Sequence, residues 1–300
     1  MSTDFKSVTA QSLSEWALPR GEGSKYERGQ VLVIGGAPSS PGAALLAGTA
    51  SLRVGGGRLT LAVAESVALH VAVALPECAA LPLSETHDRH IDGSAVGQHP
   101  EFDRADAVLI GPGLDDADEA VELLDSVVPQ LRGDAIVVLD AFALSVLPRA
   151  RTAEALSGRL ILTPNHEEAE FLLGRESDSE LADLTVIAKK YGAVVTCFGA
   201  IASPEQAWRV DLAATGLGTS GSGDVLAGAI AGLAARCAPV DQATVWGTYL
   251  HVRAGQLAGR PPGQTGYLAS EIAAALPLAV PAHDVAYPGR LAASSTPGVG

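Results

Sequence analysis

Basic residues are scarce in this chain: 20 Lys and Arg stand against 34 Asp and Glu, a formal net charge of −14. The few cations are scattered, which argues against a nucleic-acid or anionic-membrane surface. A negatively charged ligand therefore needs local neutralisation by backbone N–H groups or a metal, because the overall field repels it. Cysteine is nearly absent too. Cys78, Cys197 and Cys237 are odd in number, far apart and without CxxC spacing, so free thiols in a reducing compartment are the simplest reading. Long apolar runs are missing: Ala43–Ala50 is interrupted at Thr49 and closed by Ser51 and Arg53, too short to span a bilayer. The N-terminal MSTDFKSVTAQSLSEW lacks a charged segment followed by an apolar one, so no signal peptide is read and a soluble, cytoplasmic protein is expected. No internal repeat and no Gly/Ser linker divides the chain.

What is present is enough apolar residue, 47% of the chain, to bury a substantial α/β core. Short β-branched runs alternate with alanine-rich helical ones. Strands are expected at Val31–Ile34, Leu59–Val63, Ala107–Ile110, Ile136–Leu139, Leu160–Leu162 and Val194–Cys197. Helices are expected at Ala43–Val54, Ala120–Val128, Glu167–Leu173, Leu181–Tyr191, Asp224–Ala235, Gln242–Leu257 and Ser270–Leu276. Continuously apolar strands joined by helices imply a sheet buried on both faces by crossover connections. One domain over residues 1–276 is expected. From Pro277 to Gly300 the Pro, Ala, Ser and Gly content predicts a tail that is disordered or draped on the surface.

Ligands of open α/β sheets bind outside the carboxyl ends of the strands, so the loops there deserve the closest reading. Val31–Ile34 leads into GGAPSSPG, which has neither the lysine of a Walker loop nor a GxGxxG spacing. Ala107–Ile110 opens into Gly111-Pro112-Gly113-Leu114, Ile136–Leu139 ends in Asp140, and Leu160–Leu162 runs into Thr163-Pro164-Asn165-His166-Glu167-Glu168. The richest loop is Thr215–Ala235, TGLGTSGSGDVLAGAIAGLAA, where glycines and hydroxyls lead into Asp224 and an apolar helix. Glycines let N–H groups turn toward an anion, and a helix start adds the positive end of its dipole. An Asp beside such an anion hole suits a base that deprotonates a hydroxyl next to a phosphoryl group. It equally suits a plain helix cap. The local pattern leaves both open. Gly228 and Gly232 read as positions of close helix packing, and the HDRH run at His87–His90 as a solvated loop.

Together the segments GAALLAGTASLRVGGGRLTLAV (Gly42–Val63), LPECAALPL (Leu75–Leu83), LIGPGL (Leu109–Leu114), VLDAFAL (Val138–Leu144), LTPNHEEAEFLLG (Leu162–Gly174) and GSGDVLAG (Gly221–Gly228) resemble the ADP/ATP-dependent NAD(P)H-hydrate dehydratases of the ribokinase-like superfamily. Gly42–Val63 is the most family-specific piece. The resemblance spans roughly Lys25 to Leu276 and implies a three-layer α/β fold with a mostly parallel central sheet flanked by helices. It implies that ADP or ATP phosphorylates the hydroxyl of hydrated NAD(P)H, making it a leaving group whose elimination restores the cofactor. On the same footing Asp224 takes the hydroxyl proton, while Gly221, Ser222 and Gly223 hold the transferring phosphoryl group. Ala43 and Gly111 or Gly113 contact the hydrate, Glu168 helps hold Mg²⁺, and a homo-oligomer is expected. The chain departs from the family pattern twice. It reads TPNHEE for TPHPGE, so the substrate-facing histidine falls on Asn165, with His166 one place along. It reads VTCFGAIA (Val195–Ala202) where LKGxxT is usual, so Phe198 replaces a lysine while Gly199 is kept. TPNHEEAE also suits a small-molecule kinase for a hydroxymethyl heterocycle or vitamin, and Phe198 suits a non-catalytic nucleotide-binding homologue.

Overall fold

The computed structural model describes residues 5–19, 24–177, 180–210, 216–259 and 265–281. Thr215 of the glycine-rich motif and residues 282–300 of the expected tail lie outside them. The described strands are β1 (Lys6–Val8), β2 (Gln30–Ile34), β3 (Arg58–Ala64), β4 (Ala79–Leu83), β5 (Ala107–Ile110), β6 (Ile136–Leu139), β7 (Leu160–Leu162), β8 (Ala193–Cys197), β9 (Ala200–Ala202) and β10 (Ala207–Val210). They form one sheet in the order β1-β10-β9-β8-β7-β6-β5-β2-β3-β4. Only β8–β9 and β9–β10 pair antiparallel; every other pairing is parallel.

Crossovers supply the helices: α1 (Ala10–Ser14), α2 (Pro41–Arg53), α3 (Glu65–Ala74), α4 (Pro100–Arg104), α5 (Ala117–Val127), α6 (Phe142–Val146), α7 (His166–Leu173), α8 (Glu180–Tyr191), α9 (Ser222–Ala235), α10 (Val240–Ala258) and α11 (Ala269–Ala275). Successive strand side chains point to opposite faces, so each continuously apolar strand feeds two separate cores. Val31 and Val33 of β2 join the core made with α2, α9, α10 and α11. Leu32 and Ile34 join the other, made with α4 to α8. These are the three layers. Among the described residues no helix is long and apolar enough to cross a membrane.

Elements that sequence periodicity did not announce sit mostly at the periphery. β4 is an edge strand, which is why Pro82 can occupy it without breaking a ladder. β1 joins the opposite edge, beside the β9–β10 hairpin. The α11 helix runs on into a short 3₁₀ turn at Leu276–Leu278, and Ala279 packs into the core, so burial continues three residues past Leu276.

α9 is the innermost helix, packed between α2, α10 and strands β5 and β6. Its glycines make that possible. A Cβ on Gly228 would lie 2.1 Å from the Ala47 carbonyl oxygen, and one on Gly232 2.4 Å from that of Ser51. The α2–α9 pair therefore meets backbone to backbone, which fixes where the first turn of α9 reaches the sheet's carboxyl edge. Alanine at Gly228 gains helix propensity of about 1 kcal/mol, but the overlap with a rigid carbonyl outweighs it. Gly228→Ala should lower the unfolding free energy by roughly 1–3 kcal/mol, read as a lower urea midpoint.

Candidate active site

The loops after β2, β5 and β6 are stacked on one another through their main chains. Gly36 N–H donates to the Pro112 carbonyl (2.7 Å) and Ala37 N–H to that of Gly113 (2.8 Å). A Cβ on Gly111 would lie 1.8 Å from the Asp140 carbonyl oxygen, and one on Gly113 2.4 Å from that of Ser40. Gly111, at φ 129°, thus sets the height of the Asp140 loop.

Beside this stack, a cavity of about 710 Å³ opens between the ends of β6, β7 and β8 and the loop that enters α9. Asn165, Glu168, Phe198, Gly199, Gly221, Ser222, Gly223 and Asp224 line it, as does Asp140. Ala43, Gly111, Gly113 and His166 do not. Ala43 and Gly113 are neighbours on its shoulder, the Ala43 Cβ being 3.2 Å from where a Gly113 Cβ would sit. Leu46, one turn along α2, reaches toward Gly221, where a Cβ would be 2.5 Å from its Cδ1.

Gly221 caps α9 in the left-handed region, at φ 85°. Ser222 N–H donates back to the Thr219 carbonyl (3.1 Å), so this amide is spent inside the loop rather than offered to an anion. Gly223 and Asp224, in the first turn, have no intrahelical acceptor for their N–H groups. The anion hole expected from Gly221, Ser222 and Gly223 therefore narrows toward Gly223 and Asp224.

Among the described residues three carboxyl groups face this space, and all three are raised above the ordinary carboxylate range. Burial pushes Asp224 up to about 7, and the Asp140 charge adds to the effect. Burial likewise pushes Asp140 to about 6, although the Thr163 hydroxyl (2.7 Å) and the Ala141 N–H favour its charged form. Glu168 rises to about 7, first through burial, then through the charges of Asp140 and Glu167, against its bond from Asn165 N–H. Among the described residues no lysine or arginine lines the cavity. Asp224 has the protonation chemistry of a base working near neutrality.

Asn165 and Glu168 also close a reciprocal cap on α7: Asn165 Oδ1 accepts from Glu168 N–H (2.9 Å), and Glu168 Oε2 accepts from Asn165 N–H (2.8 Å). Glu168 keeps its second oxygen. Oxygen donors of this kind suit Mg²⁺, which takes one or two carboxylates and completes its shell with water and phosphate. Among the described residues no group of three His, Cys, Asp or Glu is close enough to hold a metal by itself. In the HDRH loop His87, Asp88 and Arg89 are exposed, and half-buried His90 bonds through Nδ1 to Asp115 (2.8 Å), which also accepts from the Ser39 hydroxyl (2.9 Å).

Sequence reasoning passed over the cavity floor. His251 is buried in α10 and its Nε2 lies 3.0 Å from Ser222 Oγ, while Thr248, one turn earlier, meets Thr196 at 2.9 Å. Burial lowers the His251 pKa to about 4, so it is a neutral ring holding the first turn of α9 in place. A lone histidine in the apolar run Tyr249–Val252 is the only signal that could have marked it. Strain also concentrates here: of the four described non-glycine residues at positive φ, Ala141 (49°) and Phe198 (46°) both line the cavity.

A family model described as NAD(P)H-hydrate dehydratase matches residues 31–278. The chain is 40% identical over 284 residues to the ADP-dependent (S)-NAD(P)H-hydrate dehydratase of Xanthomonas campestris, covering 91% of this chain and 95% of that one. It is 36% identical over 274 residues to the bifunctional NAD(P)H-hydrate repair enzyme of Moorella thermoacetica, covering 87% of this chain but 51% of the relative. It superposes at a TM-score of 0.76, with 26% identity, on the Bacillus subtilis ADP/ATP-dependent NAD(P)H-hydrate dehydratase co-crystallised with ATP and Mg²⁺, covering 93% and 98% of the two chains.

The neutral, buried His251 can be checked directly. Its C2–H resonance should titrate near pH 4 rather than near the ordinary 6.5. A midpoint near the ordinary value would mean that the ring is hydrated and not held against Ser222.

Proposed function

The chain belongs to the NAD(P)H-hydrate dehydratase family, and on that premise we propose that Asp224 is the base of a nucleotide-dependent dehydration returning hydrated NAD(P)H to NAD(P)H. The observation that supports this most is the pairing of Asp224, raised to about 7, with the uncommitted N–H of Gly223 in the same helical turn.

Hydration of the nicotinamide ring leaves a hydroxyl on carbon six, and hydroxide is a poor leaving group at neutral pH. Asp224 accepts the hydroxyl proton as its oxygen attacks the terminal phosphorus of ADP or ATP, and the bond to the departing nucleotide oxygen breaks. The first-turn N–H groups of α9 face the charge that develops on the transferring group. The ring nitrogen's lone pair then expels phosphate from carbon six, and loss of a proton from carbon five restores the double bond. The enzyme is thus a lyase driven by a phosphoryl donor. ADP is favoured as that donor by the name of the Xanthomonas relative. Glu168 and Asp140 would hold Mg²⁺, which neutralises the donor's phosphates when bound. The hydrate lies against Ala43, Gly111 and Gly113, on the shoulder where the glycine-built loops stack. A homo-oligomer and a cytoplasmic location remain part of this reading, on family resemblance.

The direct test is recovery of reduced-nicotinamide absorbance from hydrated NADH with ADP or ATP. Asp224→Asn should cut the rate by about 10²–10⁴. Phosphoryl transfer to a hydroxymethylpyrimidine without that recovery would move the reading to a kinase.

The pH dependence follows from the same group. Asp224 works as its carboxylate, so kcat/KM should rise with pH through about 7. Asp140→Asn removes a negative charge that raises the Asp224 pKa, so the rising limb should move to lower pH. Stability runs the other way. The native state binds the Asp224 proton more tightly than the unfolded chain, so ionisation costs stability as pH climbs from about 4 to about 7. Asp224→Asn should therefore raise Tm above that window and leave it nearly unchanged below it.

A further inference from the structure

Phe198 and Gly199 form the two-residue turn between β8 and β9, with φ of 46° and 85°. Turns of this kind favour Gly, which has no Cβ, or Asn, whose short amide bonds locally, and a bulky apolar side chain is strained there. The ring gains no burial in return: Phe198 is 68% exposed, although it lines the cavity. It is held nonetheless. His166, at the start of α7, stacks on one face with ring centroids 4.4 Å apart and planes 9° from parallel. Among the described residues no second aromatic ring stacks on it. A strained turn and a stacked neighbour together fix the plane of an apolar ring at the mouth of a cavity whose described lining has three carboxyl groups and no lysine or arginine.

Neither cost is repaid by the fold. Among the described residues the cavity lining supplies no lysine or arginine to grip a nucleotide whose phosphates meet the first turn of α9. A flat heteroaromatic ring, by contrast, gains from stacking on an aromatic face whatever the local charge. We infer that Phe198, backed by His166, is a stacking platform for the heteroaromatic base of a bound nucleotide. The inference rests on reading the cavity as a nucleotide site, so its test uses equilibrium binding and does not depend on turnover.

Calorimetric titrations should be run with ADP and with inorganic pyrophosphate, each with Mg²⁺. Phe198→Ala should weaken ADP by about tenfold or more and leave pyrophosphate, which has no base, unchanged. Phe198→Trp should retain or tighten ADP binding. Phe198→Gly relieves the backbone strain, so it should keep or raise Tm while losing ADP affinity like the alanine variant. His166→Ala should weaken ADP by a smaller factor. ADP and the NAD(P)H hydrate both carry such a ring, so the hydrate is titrated alone on wild type and Phe198→Ala. Weakening confined to ADP assigns the platform to the phosphoryl donor; weakening confined to the hydrate assigns it to the dinucleotide. Equal loss of ADP and pyrophosphate would show that the variant only distorts the turn. That result, or unchanged affinity for both ring-bearing ligands, overturns the platform. If wild-type protein binds neither ADP nor pyrophosphate, the nucleotide site itself is wrong and the failure belongs to the earlier reading.

Discussion

The contact between α2 and α9 is the constraint from which the site follows. Two helices ordinarily meet through side chains, at 8–10 Å between axes. Here Gly228 lies over the Ala47 carbonyl and Gly232 over that of Ser51, leaving no room for even a Cβ. Close approach places α9 deep against β5 and β6. The helix can be that deep because eleven of its fourteen residues are buried and nearly all of them are small or aliphatic. Its N-terminal turn then emerges beside the ends of β6 and β7, where Asp140 and Glu168 already stand. Asp224 is raised to about 7 because this packing brings a carboxyl group into a partly dry space next to another one.

That arrangement gives the cavity an unusual electrostatic character. Burial raises all three carboxyl groups, and the Asp140 charge adds to the shift of both Asp224 and Glu168. Among the described residues the walls supply no lysine or arginine, so a phosphate brought among these carboxyl groups is helped by protons or a divalent cation. The chain's scarcity of basic residues, visible from composition alone, is thus repeated at the scale of the site. Neutral His251 fits the same logic: it holds Ser222 by a hydrogen bond without adding a charge.

Much of the scaffold was legible because the relevant signals are local. Ala107–Ile110, Ile136–Leu139 and Leu160–Leu162 are apolar runs bounded by turn residues, and the strands occupy the same positions. Helix α7 carries its own start and stop signals, the Asn165–Glu168 cap and the left-handed Gly174, and begins one residue earlier than periodicity suggested. Gly228 and Gly232 were legible as packing positions for the same reason. What stayed hidden depends on partners far away in sequence. Ser222 and His251 are 29 residues apart, and Thr196 and Thr248 are 52 apart, so no spacing rule links them. Gly111 and Gly113 also serve a packing role that their spacing did not show, giving the Asp140 and Ser40 carbonyls room to approach. α3, ESVALHVAVA, evaded the periodicity reading because its Val-rich run has no clean polar face.

The loops after β2, β5 and β6 are held by amides and carbonyls, with glycine wherever two backbones cross. At Gly35, Gly111 and Gly113 every substitution adds a side chain where none fits. The turn at Phe198 is the opposite case, an exposed position whose side chain supports no core. The glycines at these crossings leave no room for a Cβ, while the exposed hairpin tip can change residue without loss of core packing.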